Sequence, residues 1–178
     1  MQNNFTSSLG LTLKNEGGYT NDPRDPGNRL PDGRAGSTNL GVTQLHWELF
    51  IGKKVTQDDM RRLTADTVAP FYKKQYWDNC NCDDMPAGLD YCLFDFAVNA
   101  GGGTARRILQ QSLGVETDGT IGPATLSKIS ESSINDVIDK FTFTKKEYYK
   151  TLRDFTIYGL GWIKRCDVVR NQSIAMIG

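Results

Sequence analysis

From Phe5 to the end of the chain apolar residues recur at helical spacing, and one long interruption, Tyr19 to Gly41, breaks the pattern. That alternation is the strongest constraint on the fold. Phe5, Leu9 and Leu13 recur every four residues, so residues from about 4 to 15 read as an amphipathic helix stopped by Gly17-Gly18, with Glu16 at its end. The interruption is built from Asp-Pro, Pro-Gly and Asp-Gly steps, the chemistry of successive turns with room for a short hairpin. It is too long for an idle connection in a compact domain, which points to function.

Beyond it the helical period returns. Thr43 can cap a short helix through Phe50, Thr56 with Asp59 forms a capping-box start, and Thr64 can cap a helix carrying Val68, Phe71, Tyr72 and Tyr76 on one side. Leu89, Cys92, Leu93, Phe96, Ala97 and Ala100 trace a continuous stripe, the candidate central buried helix, which Gly101-Gly102-Gly103 is expected to end. Ile108, Leu109 and Leu113 mark the next helix, and Gly122-Pro123 opens another with proline at its favoured first position. A long helix follows through Val137, Ile138, Phe141, Tyr148 and Leu152, then a last one from Leu160 to Ile174. The fold class is mainly α, one domain over 1–178 with a small β-rich region near the N-terminus, its halves divided at 90/91.

Lys plus Arg and Asp plus Glu both total 21, so no net field steers the chain toward nucleic acid or an anionic surface. Met1-Gln2-Asn3-Asn4 lacks the basic and apolar parts of a secretory signal, and no run of about 18 apolar residues is present to span a bilayer. The expectation is a chain made in the cytoplasm, with no nucleic-acid partner and no stable membrane association. Cys80, Cys82, Cys92 and Cys166 read as buried thiols before a disulfide framework, and Cys80-Asn81-Cys82 lacks the gap of a zinc knuckle. No metal site is assigned.

Glycoside hydrolysis needs an acid to protonate the leaving oxygen and usually a second carboxylate to handle water or positive charge. A helix C-terminus disfavours ionisation of a nearby carboxyl, which suits Glu16 to the first role; a solvated Glu before a glycine stop is the plain alternative. Asp25 lies in the turn-rich excursion between Pro23 and Pro26, which restrict where its carboxylate points, with Asp22 as competitor. Either could simply form a turn.

Glu16-Gly17-Gly18-Tyr19, Asn21-Asp22-Pro23, Asp25-Pro26-Gly27 and Thr38-Asn39-Leu40-Gly41-Val42-Thr43 resemble the signature of the family 108 glycoside hydrolases, lysozyme-like N-acetylmuramidases found as phage endolysins and as secretion-associated muramidases. Tyr76-Trp77, Phe94 to Gly101, Leu109 to Val115, Asp118 to Pro123 and Gly161 to Arg165 are similar to the family's C-terminal, peptidoglycan-binding-like half. Blocks in one order over nearly the whole chain argue against coincidence. The resemblance implies Glu16 as the essential acid and, by analogy with phage lysozymes, Asp25 as second carboxylate and Thr38 as the residue assisting water. Asn28 to Gly36 departs from it, as an apparent insertion that displaces Thr38, with Thr43 as the fallback.

Tyr19, Tyr76 and Trp77 are candidates to stack on sugar rings, or core aromatics. Asn99 could contact an N-acetyl group or bond to its own helix. Trp162 reads as packing, and Lys164 and Arg165 as a solvated basic pair that could instead meet stem carboxylates. The implied reaction cuts the β-1,4 bond after N-acetylmuramic acid in a cleft beside Glu16, with no metal or organic cofactor. The implied partners are peptidoglycan and, for delivery to the periplasm or wall, a holin or a secretion system; the chain itself is expected to be a monomer. Lytic transglycosylation and non-catalytic wall binding are the competing functions.

Overall fold

In the computed structural model, which describes residues 4–177, helix accounts for 66% and strand for 4%, so the chain is mainly α with a small two-stranded sheet. The reading of Met1-Gln2-Asn3 lies outside the described residues. Among the described residues no helix is long and apolar enough to cross a membrane. Contacts cluster into two units, residues 5–74 and residues 75–177 with Asn4.

In the first unit, α1 (Phe5–Leu13) buries Phe5, Ser8, Leu9 and Thr12 and packs on α4 (Ala65–Tyr72). The interruption then folds as a set of short hydrogen-bonded turns. A 3-10 turn at Pro26–Asn28 leads into a loop closed by a bridge between Arg29 and Ala35. That closure returns the chain to Thr38, whose N–H and C=O both pair with Thr20 at 2.8 Å. Regular strand is limited to β1 (Thr38–Asn39) and β2 (Val42–Thr43), antiparallel, with Thr38 facing Thr43 and Asn39 facing Val42.

Each expected cap on this side is present. Thr43 accepts from the His46 N–H at the start of α2 (Gln44–Ile51), and capping boxes start α3 (Gln57–Arg61) at Thr56 and α4 at Thr64. Trp47, Phe50, Phe71 and Tyr72 form a chain of edge-to-face and tilted rings that supplies the apolar core here.

The second unit holds α5 (Leu89–Ala100), α6 (Gly102–Leu113), α7 (Pro123–Ser130), α8 (Ile134–Lys150) and α9 (Phe155–Ala175). Every residue of α5 from Leu89 to Ala97 is buried, so it is the central helix its stripe predicts. α8 pairs with α9, and α6 packs on both α5 and α8. Phe96 meets Phe141, Tyr148 and Tyr149 edge-on, and Trp162 stacks on Tyr149 with ring centroids 5.3 Å apart. Lys145 is buried in this core, its Nζ 3.1 Å from Cys92 Sγ and 4.9 Å from the Phe141 ring, so a thiol and an aromatic face stand in for water around it.

Three boundaries differ from the sequence reading. Gly101 alone ends α5, with φ +83, while Gly102 and Gly103 already belong to α6. Glycine at 102 answers to packing instead of a helix stop: a Cβ there would come 3.2 Å from Asn79 Oδ1 and 3.4 Å from Cys80 Sγ. Second, α8 stops at Lys150, leaving Leu152 beyond it. Third, α9 begins at Phe155, five residues ahead of Leu160, whose side chain is 90% exposed. All four cysteines are buried free thiols; burial pushes Cys80 up to about 11 and Cys82 and Cys166 upward. Among the described residues no group of three or more His, Cys, Asp or Glu is arranged to hold a metal ion.

Candidate active site

Glu16 lies just past α1, where its N–H still reaches the Leu13 carbonyl at 3.2 Å, so it stands at the negative end of that helix. Its carboxylate meets the tip of the β1–β2 hairpin. A Cβ on Gly41 would lie 2.9 Å from Glu16 Oε2 and 2.7 Å from the Tyr72 hydroxyl, distances no real side chain tolerates. Glycine at 41 is therefore what lets the carboxylate approach. The turn has positive φ at both central residues, 49° at Leu40 and 74° at Gly41, as a two-residue type I′ hairpin requires. Leucine in that conformation is strained by about 1 kcal/mol. The Tyr72 hydroxyl donates to the Leu40 carbonyl at 2.7 Å and holds the strained tip in place.

At the base of the same hairpin three other groups converge on Gly27. A Cβ there would meet Thr43 Cγ2 at 3.1 Å, Asp25 Oδ1 at 3.2 Å and Thr38 Oγ1 at 3.8 Å. Asp25 Oδ1 accepts the Gly27 N–H at 2.8 Å and caps the Pro26–Asn28 turn, while Oδ2 has no hydrogen-bond partner among the described residues. Asp22, its competitor, is clamped by Arg24 at 2.7 Å, which holds its carboxyl below the usual range. Thr38 is donor to Asn28 Oδ1 at 2.9 Å, and Asn28 in turn donates to the Asp22 carbonyl at 3.0 Å. Gly41 in the turn and Thr43 on β2 are two residues apart, a span of at most roughly 7 Å. Glu16 thus faces the tip of the hairpin, and Asp25 its base.

Asn28 is the group that sequence reasoning missed. It opens the segment read as an insertion, yet it is 2% exposed and ties the Asp22–Asp25 turn to β1. Nothing in a single Asn marks such a role beforehand. Tyr72 was legible only as part of an apolar stripe, because its hydroxyl partner comes from a hairpin turn 32 residues away.

Tyr19 is half-buried with the Arg61 guanidinium 4.4 Å over its ring, so one face is already covered. Tyr76, Trp77 and Asn99 belong to the other unit. Trp77 is 1% exposed, packed edge-on against Phe94 with its indole N–H on Asp83 at 2.7 Å; a ring so placed has no face for a sugar, and packing replaces stacking as its role. Tyr76 is half-buried in the π-helical turn Lys73–Trp77. Asn99 is exposed and donates back to the Asp95 carbonyl of its own helix at 2.7 Å.

Arg165 is not half of a solvated pair: it bridges α9 to Asp95 of α5 at 2.7 Å, and the carboxylate there is 5% exposed. Asp118-Gly119-Thr120 is held by the buried Gln110 side chain, which bonds to Asp118, Gly119 and Thr120.

A mainly helical chain with a small two-stranded sheet, and a carboxyl at the end of its first helix set against that hairpin, fits a lysozyme-like fold. The glycosyl hydrolase 108 family model matches residues 9–101, and the chain belongs to that family. Among solved structures, SagA of Brucella abortus superposes with a TM-score of 0.82 at 31% identity, over 99% of this chain and 97% of that one. No curated protein sequence matches. Family membership and the likeness to SagA support a peptidoglycan hydrolase.

Proposed function

We propose that the chain is an N-acetylmuramidase, hydrolysing the β-1,4 bond between N-acetylmuramic acid and N-acetylglucosamine with Glu16 as proton donor. The observation that carries this reading is the Glu16 carboxylate seated against Gly41, at a helix C-terminus, on the hairpin whose base gathers Asp25, Thr38 and Thr43. Glu16 stands at the negative end of the α1 dipole, a setting that suits the proton donor of the proposed reaction. Asp25, through its open Oδ2, is the carboxylate that orients water or balances the oxocarbenium charge, and Thr38 assists with the water. Gly27 and Gly41 lack the Cβ atoms that would crowd these groups. Tyr19, Tyr76 and Asn99 are proposed sugar contacts, and residues 91–178 a peptidoglycan-binding half. Action on the wall follows delivery by a holin or a secretion system, the enzyme working as a monomer.

Digestion of purified cell walls by wild type and Glu16→Gln, with mass analysis of the muropeptides, tests the reading. Reducing muramic-acid ends are expected from wild type, and a rate about a thousandfold lower from the amide with unfolding unchanged. Full activity in Glu16→Gln would reject the assignment. Products ending in 1,6-anhydro sugars would instead identify a transglycosylase, and walls bound but uncut by wild type a binding module.

A further inference from the structure

The segment 28–36 carries two arginines in unlike surroundings. Arg34 is fully engaged: its Nε donates to Asp32 at 2.8 Å, its terminal nitrogens to Glu48 at 2.9 and 2.7 Å, and one of them also to the Val55 carbonyl. Arg29 is not. Its Nε donates to the Pro23 carbonyl at 3.1 Å, and its two terminal nitrogens have no partner among the described residues. The Pro23 bond anchors the root of this guanidinium to the turn that carries Asp25, while its outer edge stays available.

Beside it runs a groove of about 410 Å³ whose lining includes Asn21, Pro23, Asn28, Arg29, Leu30 and Ala35. No carboxylate lines the groove. Asp32, in the same loop, is held by Arg34 and Lys54 and its carboxyl is pushed well below the usual range, first by Lys54 and then by Arg34. Asn28 is a wall shared with the hairpin base, since its side chain accepts the Thr38 hydroxyl. The groove is thus cationic and contiguous with the Asp25 turn. A planar guanidinium with two open donors matches a carboxylate edge-on. A volume of this size suits a short peptide segment.

We propose that this groove receives a carboxylate of the peptide stem borne by the muramic acid unit, with Arg29 as its receptor. The proposal rests on the muramidase reading. In the intact wall the lactyl carboxyl of muramic acid is tied up as the amide that joins the stem, so the glycan itself is uncharged and the free carboxylates lie on the peptide. The stem, linked through the lactyl group of the muramyl ring, carries free carboxylates, and Pro23 and Ala35 offer apolar wall for its small aliphatic side chains.

The test compares wild type, Arg29→Gln and Arg29→Lys on intact peptidoglycan and on the same polymer with its stem carboxylates converted to neutral amides by carbodiimide coupling to an amine. The expected result is a rise in KM of about fivefold for Arg29→Gln on the intact polymer, an intermediate rise for Arg29→Lys, and no change on the amidated polymer. Equal losses on both polymers, or no loss on either, overturn the groove assignment while leaving wild-type cleavage and the muramidase reading standing. Failure of wild type to cut either polymer overturns that reading and the groove with it. Thermal unfolding of Arg29→Gln at the wild-type temperature is the accompanying control, since the side chain is exposed and lies outside the core.

Discussion

The segment from Thr20 to Val55 and the helical unit from Gln75 onward are held by different physics. In the second, α5 is buried on all sides and large side chains such as Phe94, Phe96 and Phe141 fill the space. In the first, position is set by hydrogen bonds: Asn28 to Asp22 and Thr38, Asn39 to the Met60 carbonyl, Gln44 to Val55, Arg34 to Asp32 and Glu48. Apolar burial is non-directional and tolerates small shifts, whereas hydrogen-bond networks specify where a group points. The chain thus places Asp25, Thr38 and the hairpin that Glu16 meets in the part of the molecule built for orientation, and large-scale burial in the part built for stability.

Substitutions sharpen or break that contrast. Phe141→Ala, at the centre of the helical unit, should cost about 4 kcal/mol in chemical unfolding, because the cavity is lined from all sides. A loss under 1 kcal/mol would show that the helical unit is not the stabilising region. Gly41→Ala should act on rate: the added Cβ meets Tyr72 and Glu16 below 3 Å at positive φ, so cleavage of walls is expected to fall about a hundredfold, with about 1 kcal/mol of stability lost. Equal activity would mean that the hairpin tip does not set the acid.

Glu48→Gln weakens the network at its charged node and should cost about 2 kcal/mol. Arg34, first among its partners, lowers Glu48 from 4.5 to about 2 in the folded chain. A depressed folded pKa contributes stability that is complete above about 4.5 and is lost as pH falls toward 2. Acid unfolding followed from pH 5 to 2 should therefore be steeper in wild type than in Glu48→Gln; identical curves would remove Glu48 from the account. The smallest effect is expected at Leu160→Ser, within about 0.5 kcal/mol by thermal melting, since the side chain is already in water.

How much of this was legible beforehand depends on the range of the interaction. The caps at Thr43, Thr56 and Thr64 lie within three residues of their partners, and the α5 stripe repeats within one helix, so local pattern was sufficient. Proline at the first turn of α7 was readable for the same reason. Glu16 at a helix end and the hairpin after it were also visible, one from a glycine stop and the other from turn chemistry. The roles that changed involve distant partners. Arg165 looked solvated because Asp95 is 70 residues away, and Trp77 stayed open between stacking and core because Phe94, against which it packs, lies on another helix. The glycine triplet read as a stop because nothing local shows that Asn79 and Cys80 crowd Gly102.

By itself, the order of residues determined the helices, their caps, the one break in helical period and the acid that follows the first helix, since each is decided by groups within a turn or two of one another. Only the tertiary structure decided that Gly41 admits Glu16, that Asn28 joins the Asp25 turn to Thr38, and that Arg34 is paired while Arg29 is open. Those facts depend on atoms brought together from separate segments, and such proximity is a property of packing, with no counterpart in local spacing.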